Sequence, residues 1–294
     1  MEKGTIIRAL SGFYYVKSGQ KLIECRARGR FRLDGTSPLV GDRVECTLDD
    51  QGRGRIDKVE ERKNFFIRPA VANIDVMVFV AANANPITDP FLIDRVSVIA
   101  AAADCETVVC VNKCDLDHGD ALFEIYKKAG LTVIRTSAAD GEGLDELKNA
   151  ISGKISAFTG NSGAGKSSIL NALVPGLDIP VGEVSEKLGR GRHTTRHVEL
   201  YDIGGGTLAA DTPGFASFDV EMINAIEKEQ LQYLFPEFST YLGKCRFDDC
   251  AHLKEPGCAV TAAVAAGIIP PSRHASYARL YELSARHKSW EDKD

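Results

Sequence analysis

The stretch Gly160-Asn161-Ser162-Gly163-Ala164-Gly165-Lys166-Ser167-Ser168 constrains the fold more than any other part of the chain. It fits the phosphate-binding pattern G-x-x-x-x-G-K-[ST] at every fixed position. An apolar, strand-like run (154–159) precedes it, and an apolar helix-like run opens at Ser168. Strand, glycine loop and helix in that order form the context the motif requires. Glycines let backbone N–H groups approach phosphate oxygens, and the helix N-terminus adds positive potential there. Lys166 would reach the β- and γ-phosphates and the Ser167 hydroxyl would ligate Mg²⁺. The stretch therefore implies a nucleoside triphosphate site.

A second motif, Asn112-Lys113-Cys114-Asp115, stands at the end of another apolar run, 107–111. A carboxylate at Asp115 can accept from the N1–H and exocyclic amine of guanine, a donor pair that adenine lacks. A buried hydrogen-bonding site of this kind rejects the wrong base strongly. Asn112 would hold the base edge and its own loop, and Lys113 would lie along the ring. Thr136-Ser137-Ala138 follows the next strand-like run, where the N–H groups of Ser137 and Ala138 could meet guanine O6. Past the phosphate loop come Gly189-Arg-Gly-Arg-His193-Thr194-Thr195 and Asp211-Thr-Pro-Gly214. Asp211 and Gly214 suit a Mg²⁺-proximal carboxylate and a γ-phosphate N–H, and Thr194 or Thr195 suits a switch threonine completing the Mg²⁺ shell. Base motif, phosphate loop, then switches is a circular permutation of the usual GTPase order. Long apolar strands alternating with helices predict a doubly wound α/β domain.

Residues 1–70 carry 15 Lys and Arg against 10 Asp and Glu, whereas the whole chain has a net charge of −5. Short strand-like runs punctuated by Ser-Gly, Asp-Gly and Gly-Asp predict a small all-β module of the OB type. Arg26, Arg28, Arg30 and Arg32 alternate, so a continuing strand would set all four on one face. Such a row suits a phosphate backbone, with Phe13, Tyr14, Tyr15 and Phe31 as stacking surfaces. A solvated face over an aromatic core fits the same pattern. Residues 64–69 read as a linker. No apolar run is long enough for a membrane span, the first residues lack a signal-peptide core, and the eight cysteines read as reduced thiols. These features predict a cytoplasmic protein.

Beyond Asp211 a helix is predicted over 221–234, followed by Cys245, Cys250, His252 and Cys258 in a polar, turn-rich loop. This Cys₃His set predicts one closed, structural Zn²⁺ site. Helices are predicted over 259–267 and 272–288, the latter carrying Arg273, Arg279 and Arg286 on a solvated or phosphate-contacting face. The whole is a multidomain α/β chain: an N-terminal OB-fold β-barrel (1–66), a circularly permuted P-loop GTPase domain (67–218) and a C-terminal helical zinc-binding domain (219–294).

Together, the barrel, the permuted motifs and the Cys-Cys-His-Cys loop make the chain resemble the RsgA (YjeQ) family of bacterial GTPases, over essentially its whole length. The resemblance implies GTP hydrolysis to GDP and phosphate, late in assembly of the 30S subunit, with 30S and its 16S rRNA as partners. It also implies stimulation by 30S that prompts release. Neither DNA nor a membrane is an expected partner, and a monomer is expected. Phe215 stands where many GTPases place a water-orienting glutamine, and the resemblance points to His193 instead. His193, Lys166 and Thr195 are thus the expected catalytic residues, with Ser167 and Thr195 as Mg²⁺ ligands. An rRNA-binding scaffold in which GTP only sets conformation is the alternative.

Overall fold

The computed structural model describes residues 1–29, 31, 37–174, 176–179, 198–212, 222–223 and 225–291, side chains at 286–291 excepted. The first five strands are β1 (Glu2–Leu10), β2 (Phe13–Ser18), β3 (Lys21–Ala27), β4 (Arg43–Leu48) and β5 (Gly54–Val59). They close a barrel in the order β1-β2-β3-β5-β4, with β3 and β5 parallel and the other pairs antiparallel. This is the OB arrangement. Period-two alternation turns Ile6, Val16, Ile23, Cys25, Val44, Cys46 and Ile56 into its interior.

The strand on which the arginine row depends does not continue. β3 stops at Ala27, and Phe31 N–H bonds Arg28 O at 3.2 Å, the i to i+3 bond of a turn that brings Phe31 into the core. Arg26 instead stacks over Phe13, its guanidinium carbon 4.5 Å from the ring centroid. Arg28 pairs with Asp57 at 2.6 Å, and Arg30 and Arg32 lie outside the described residues. The expected linker is also structured. Phe65–Ile67 (β6) pairs with Ala70–Ala72 (β7) as a short hairpin. Asn64 latches its base, donating to Ile74 O and Ala103 O and accepting from Ile74 N–H.

Strands β8 (Val76–Ala82), β9 (Glu106–Asn112), β10 (Thr132–Arg135), β11 (Ile155–Gly160), β12 (Leu200–Gly204) and β13 (Thr207–Asp211) form one sheet in the order β10-β9-β8-β11-β13-β12. Only the β12–β13 pair is antiparallel. Every residue of β8 is buried, as expected of a central parallel strand covered on both faces. Helices α1 (Pro90–Ala102), α2 (Asp120–Lys128), α3 (Leu144–Ala150) and α4 (Lys166–Leu173) make the crossovers. Asp89 caps α1 by accepting from Phe91 N–H, and Pro90 supplies a first position that needs no donor. The chain runs outward from β8 to β10, then returns to β11 on the other side of β8. Ligand crevices in such sheets lie at that reversal, beyond the carboxyl ends of the strands. The barrel rests against the edge strand β12: Lys17 bonds Asp202 at 2.6 Å and Arg8 meets Glu199 at 3.4 Å.

The expected helix over 221–234 is not continuous. Helical geometry at Met222–Ile223 gives way to turns and a 3₁₀ turn at Leu231–Leu234. Pro236 ends any helix just before it, and Leu231, Phe235 and Phe238 all turn inward. Helices α5 (Ala259–Ala265) and α6 (Pro271–Glu291) complete the chain. No described helix is long and apolar enough to cross a membrane.

Arg273 corrects the reading of α6 as a solvated or phosphate-binding face. It is fully buried and binds Glu237 through two bonds of 2.6 and 3.2 Å. It also donates to Asp94 Oδ1 at 2.8 Å and Ser97 Oγ at 3.2 Å, both on α1. Phe235 lies under the guanidinium at 4.6 Å. Arg279, one face along, stacks on Phe91 of α1 at 3.7 Å. Removing one partner of such a buried knot strands the other charges. Arg273→Met is expected to lower unfolding free energy by about 3–5 kcal/mol, measured by urea denaturation. An unchanged midpoint would contradict this account of how the C-terminal helices are held.

Candidate functional site

Three loops meet at the reversal point of the sheet. The phosphate loop leaves β11 with Gly160 at φ 141° and Gly165 at φ 97°. A Cβ at Gly160 would fall 2.2 Å from Val80 O, and one at Gly165 would fall 2.1 Å from Asn112 Nδ2. Both motif glycines are thus required by what packs on them as well as by backbone conformation. Asn112 is buried at the end of β9 and donates through Nδ2 to Ala164 O at 2.9 Å. Its Oδ1 accepts from Thr136 Oγ1 at 3.2 Å and from Ala138 N–H at 3.3 Å. One amide therefore ties the Asn112–Asp115 loop to both the phosphate loop and the loop after β10.

Asp115 is exposed, and its Oδ1 accepts from Ser137 Oγ at 2.9 Å. Lys113 takes a left-handed φ of 65° and its ammonium donates to Asn85 O. Thr136 is held by backbone bonds to Val111 O and from Cys114 N–H, and by the Cys110 thiol at 3.1 Å. Burial pushes the Cys110 thiol up to about 12, so it stays neutral beside that hydroxyl. All eight cysteines are free.

Lys166, Ser167 and Ser168 open α4, and Asn161, Ser162 and Gly163 lie in the loop between β11 and that helix. Lys166 Nζ stands 3.8 Å from Asp211 Oδ1, too far for a hydrogen bond. That carboxylate oxygen is buried with no hydrogen-bond partner. Burial raises the Asp211 pKa, and Lys166 only partly offsets it. An under-satisfied buried carboxylate facing the first residue of α4 is a hard oxygen donor of the kind that Mg²⁺ takes. His193, Thr194, Thr195 and Gly214 lie outside the described residues.

The Cys₃His set converges: its four ligand atoms lie within 4.8 Å of one another. Cys245 Sγ and Cys258 Sγ are 3.9 Å apart, and His252 Nδ1 is 3.5 Å from each. A tetrahedron with Zn–S of about 2.3 Å and Zn–N of about 2.05 Å has edges of about 3.8 and 3.6 Å, so the residues fit Zn²⁺. His252 Nε2 meets Gln232 Oε1 at 2.9 Å, which puts the ring proton there and leaves Nδ1 free to ligate. Burial lowers the His252 pKa, favouring the neutral ring. The Cys250 thiol is pushed up to about 12 by burial. Burial also acts to raise Cys258, but hydrogen bonds from Thr261 and its neighbours at the start of α5 outweigh it and hold that thiol low. The Glu255 carboxylate, accepting from Ala251, Leu253 and Lys254 N–H groups, knots the loop. Neither Gln232 nor Glu255 bears a sequence signature, because each acts through a partner set by folding.

On the barrel, a groove of about 660 Å³ is lined by Phe13, Arg26, Arg53 and Arg55, with Glu24 and Asp49 among them. Gln232→Leu is expected to weaken Zn²⁺ binding by about 10–100-fold, measured by competition with a chromophoric chelator. Unchanged affinity would show that the imidazole is oriented by something else.

The model of the RsgA GTPase family matches residues 59–221, and that of the RsgA N-terminal domain matches residues 3–56. The small ribosomal subunit biogenesis GTPase RsgA of Moorella thermoacetica is 45% identical over 291 residues, covering 98% of this chain and 99% of that protein. Its counterpart from Caldanaerobacter subterraneus is 44% identical over 281 residues, covering 95% and 94%. The crystal structure of YjeQ from Thermotoga maritima superposes with a TM-score of 0.81 at 37% identity, covering 97% of this chain and 98% of that one. YloQ, described as a circularly permuted GTPase, gives 0.80 at 35% identity, with 97% and 96% covered.

Proposed function

The chain belongs to the RsgA family of GTPases, and from that premise we propose that it hydrolyses GTP on the small ribosomal subunit late in its biogenesis, hydrolysis timing its release. The observation that carries the reading is the Asn112–Ala164 bond, which brings a guanine-reading motif onto a phosphate loop despite the permuted order. In this reading Asp115 selects guanine and Lys113 lies along its ring. Ser137 and Ala138 close over the base edge. The loop 160–168 cradles the phosphates, with the Lys166 ammonium on the β- and γ-oxygens.

Mg²⁺, when bound, neutralises charge developing on the phosphates. Ser167 and a switch threonine, Thr194 or Thr195, would hold it, with Asp211 beside it and the Gly214 N–H at the γ-phosphate. His193 orients the attacking water, since Phe215 offers no polar group. The Cys₃His set carries one structural Zn²⁺.

The divisions at 66/67 and 218/219 belong to the same proposal; the two family matches change over between residues 56 and 59, and the second ends at 221. The barrel contacts 16S rRNA through the Phe13–Arg26 stack and the Arg53–Arg55 side of its groove. Cations over a half-buried ring at the edge of this groove suit both the phosphates and the faces of unstacked bases. The protein acts as a cytoplasmic monomer.

The test is GTP turnover by the protein alone and with 30S subunits, 50S subunits or naked RNA. Stimulation by 30S alone is expected, and His193→Ala should lose that stimulation while keeping its GTP affinity. Equal turnover under all four conditions would leave a nucleotide-binding scaffold, and full stimulation of His193→Ala would remove that residue from the chemistry.

A further inference from the structure

The loop from 83 to 88 joins β8 to α1 at the sheet reversal, between the carboxyl ends of β9 and β11. It is none of the motif loops, yet it touches two of them. Thr88 closes it on itself: its Oγ1 accepts from Ala82 N–H at 2.9 Å and its own N–H returns to Ala82 O at 2.9 Å. From that closed base it reaches in two directions. Toward the base-reading loop, Asn83 Nδ2 donates to Asp117 Oδ1 at 2.9 Å, and Asn85 O accepts from the Lys113 ammonium. Asp117 also caps Gly119 N–H at 2.8 Å, which fixes the turn running out of Asp115. Toward the phosphate loop, the Pro86 ring lies against Gly163, where even a Cβ would come within 3.3 Å of Pro86 Cδ.

We propose that this loop is the third wall of the guanine-nucleotide pocket, with Asn83 and Pro86 as positioning residues; the inference rests on the nucleotide reading above. The wall sets the spacing between the two motif loops from the side that Asn112 does not cover. The Asn85 carbonyl anchors the Lys113 ammonium, so the lysine stem is held across the crevice rather than free in solvent. Asn83 holds the turn behind Asp115. Pro86 backs the phosphate loop at Gly163, and its ring restricts the chain as well as filling the contact. Among the described residues no hydrogen bond or ion pair joins these groups to Lys166, Ser167 or Asp211. Loosening the wall therefore weakens hold on the nucleotide and leaves the phosphate chemistry alone.

The experiment is stopped-flow dissociation of the fluorescent nucleotide mant-GDP from the full chain, with KM and kcat for GTP on the same preparations. Asn83→Ala should release mant-GDP about three-fold faster and Pro86→Gly about ten-fold faster. KM should rise in step, with kcat at saturating GTP unchanged. Ile87→Ala, an exposed side chain in the same loop, should behave as wild type. If both variants stay within two-fold of the wild-type release rate, or lose kcat with release unchanged, the positioning role is overturned. A wild-type protein that binds no mant-GDP would overturn the nucleotide reading and this proposal with it.

Discussion

The side-chain amide of Asn112 is the contact on which the candidate site depends. It sits buried at the end of β9 and makes one bond to the phosphate loop and two to the loop after β10. Ala164 is fully buried, so losing its bond would leave a shielded carbonyl short of its partner, at a cost of about 1–3 kcal/mol. Circular permutation changes which loop is made first along the chain and leaves this junction intact. The parallel strands β10, β9 and β11 deliver all three loops to the same end of the sheet. Sequence order therefore matters little to the pocket, and strand order matters a great deal.

Permutation does change what the sheet is attached to. The barrel abuts β12 through Lys17–Asp202 and Arg8–Glu199, and β12 pairs directly with β13, which carries Asp211. At the other end, Arg273 locks the C-terminal helices to α1, the first crossover helix. Both flanking parts thus bear on elements that lead into the crevice. The Cys₃His loop belongs to this mechanical frame: His274 donates to His252 O from α6, one residue beyond Arg273. A metal in that loop would stiffen the platform that Arg273 fastens to α1.

Features that depend on local chemistry were legible in the sequence. The phosphate loop, Asn112–Asp115 and the Cys₃His set are short patterns whose spacing already implies a geometry, and their residues converge as expected. The five barrel strands were legible from turn residues and alternation. What failed was extrapolation from pattern to surroundings. The alternating arginines looked like one strand, but Phe31 is drawn into the core and ends β3 at a turn. Arg273 looked like a surface cation because nothing in its own helix reveals Asp94, 179 residues away. Gln232 and Pro86 were invisible for the same reason: each matters through a contact made only by the folded chain.

The most direct test of the Asn112 junction is calorimetric titration of GDP and ADP into wild type and Asn112→Ala. Wild type is expected to bind GDP and not ADP. Asn112→Ala, still folded by circular dichroism, should bind GDP about a hundred-fold more weakly. Undiminished GDP affinity in a folded Asn112→Ala protein would show that the pocket does not depend on the Asn112 junction.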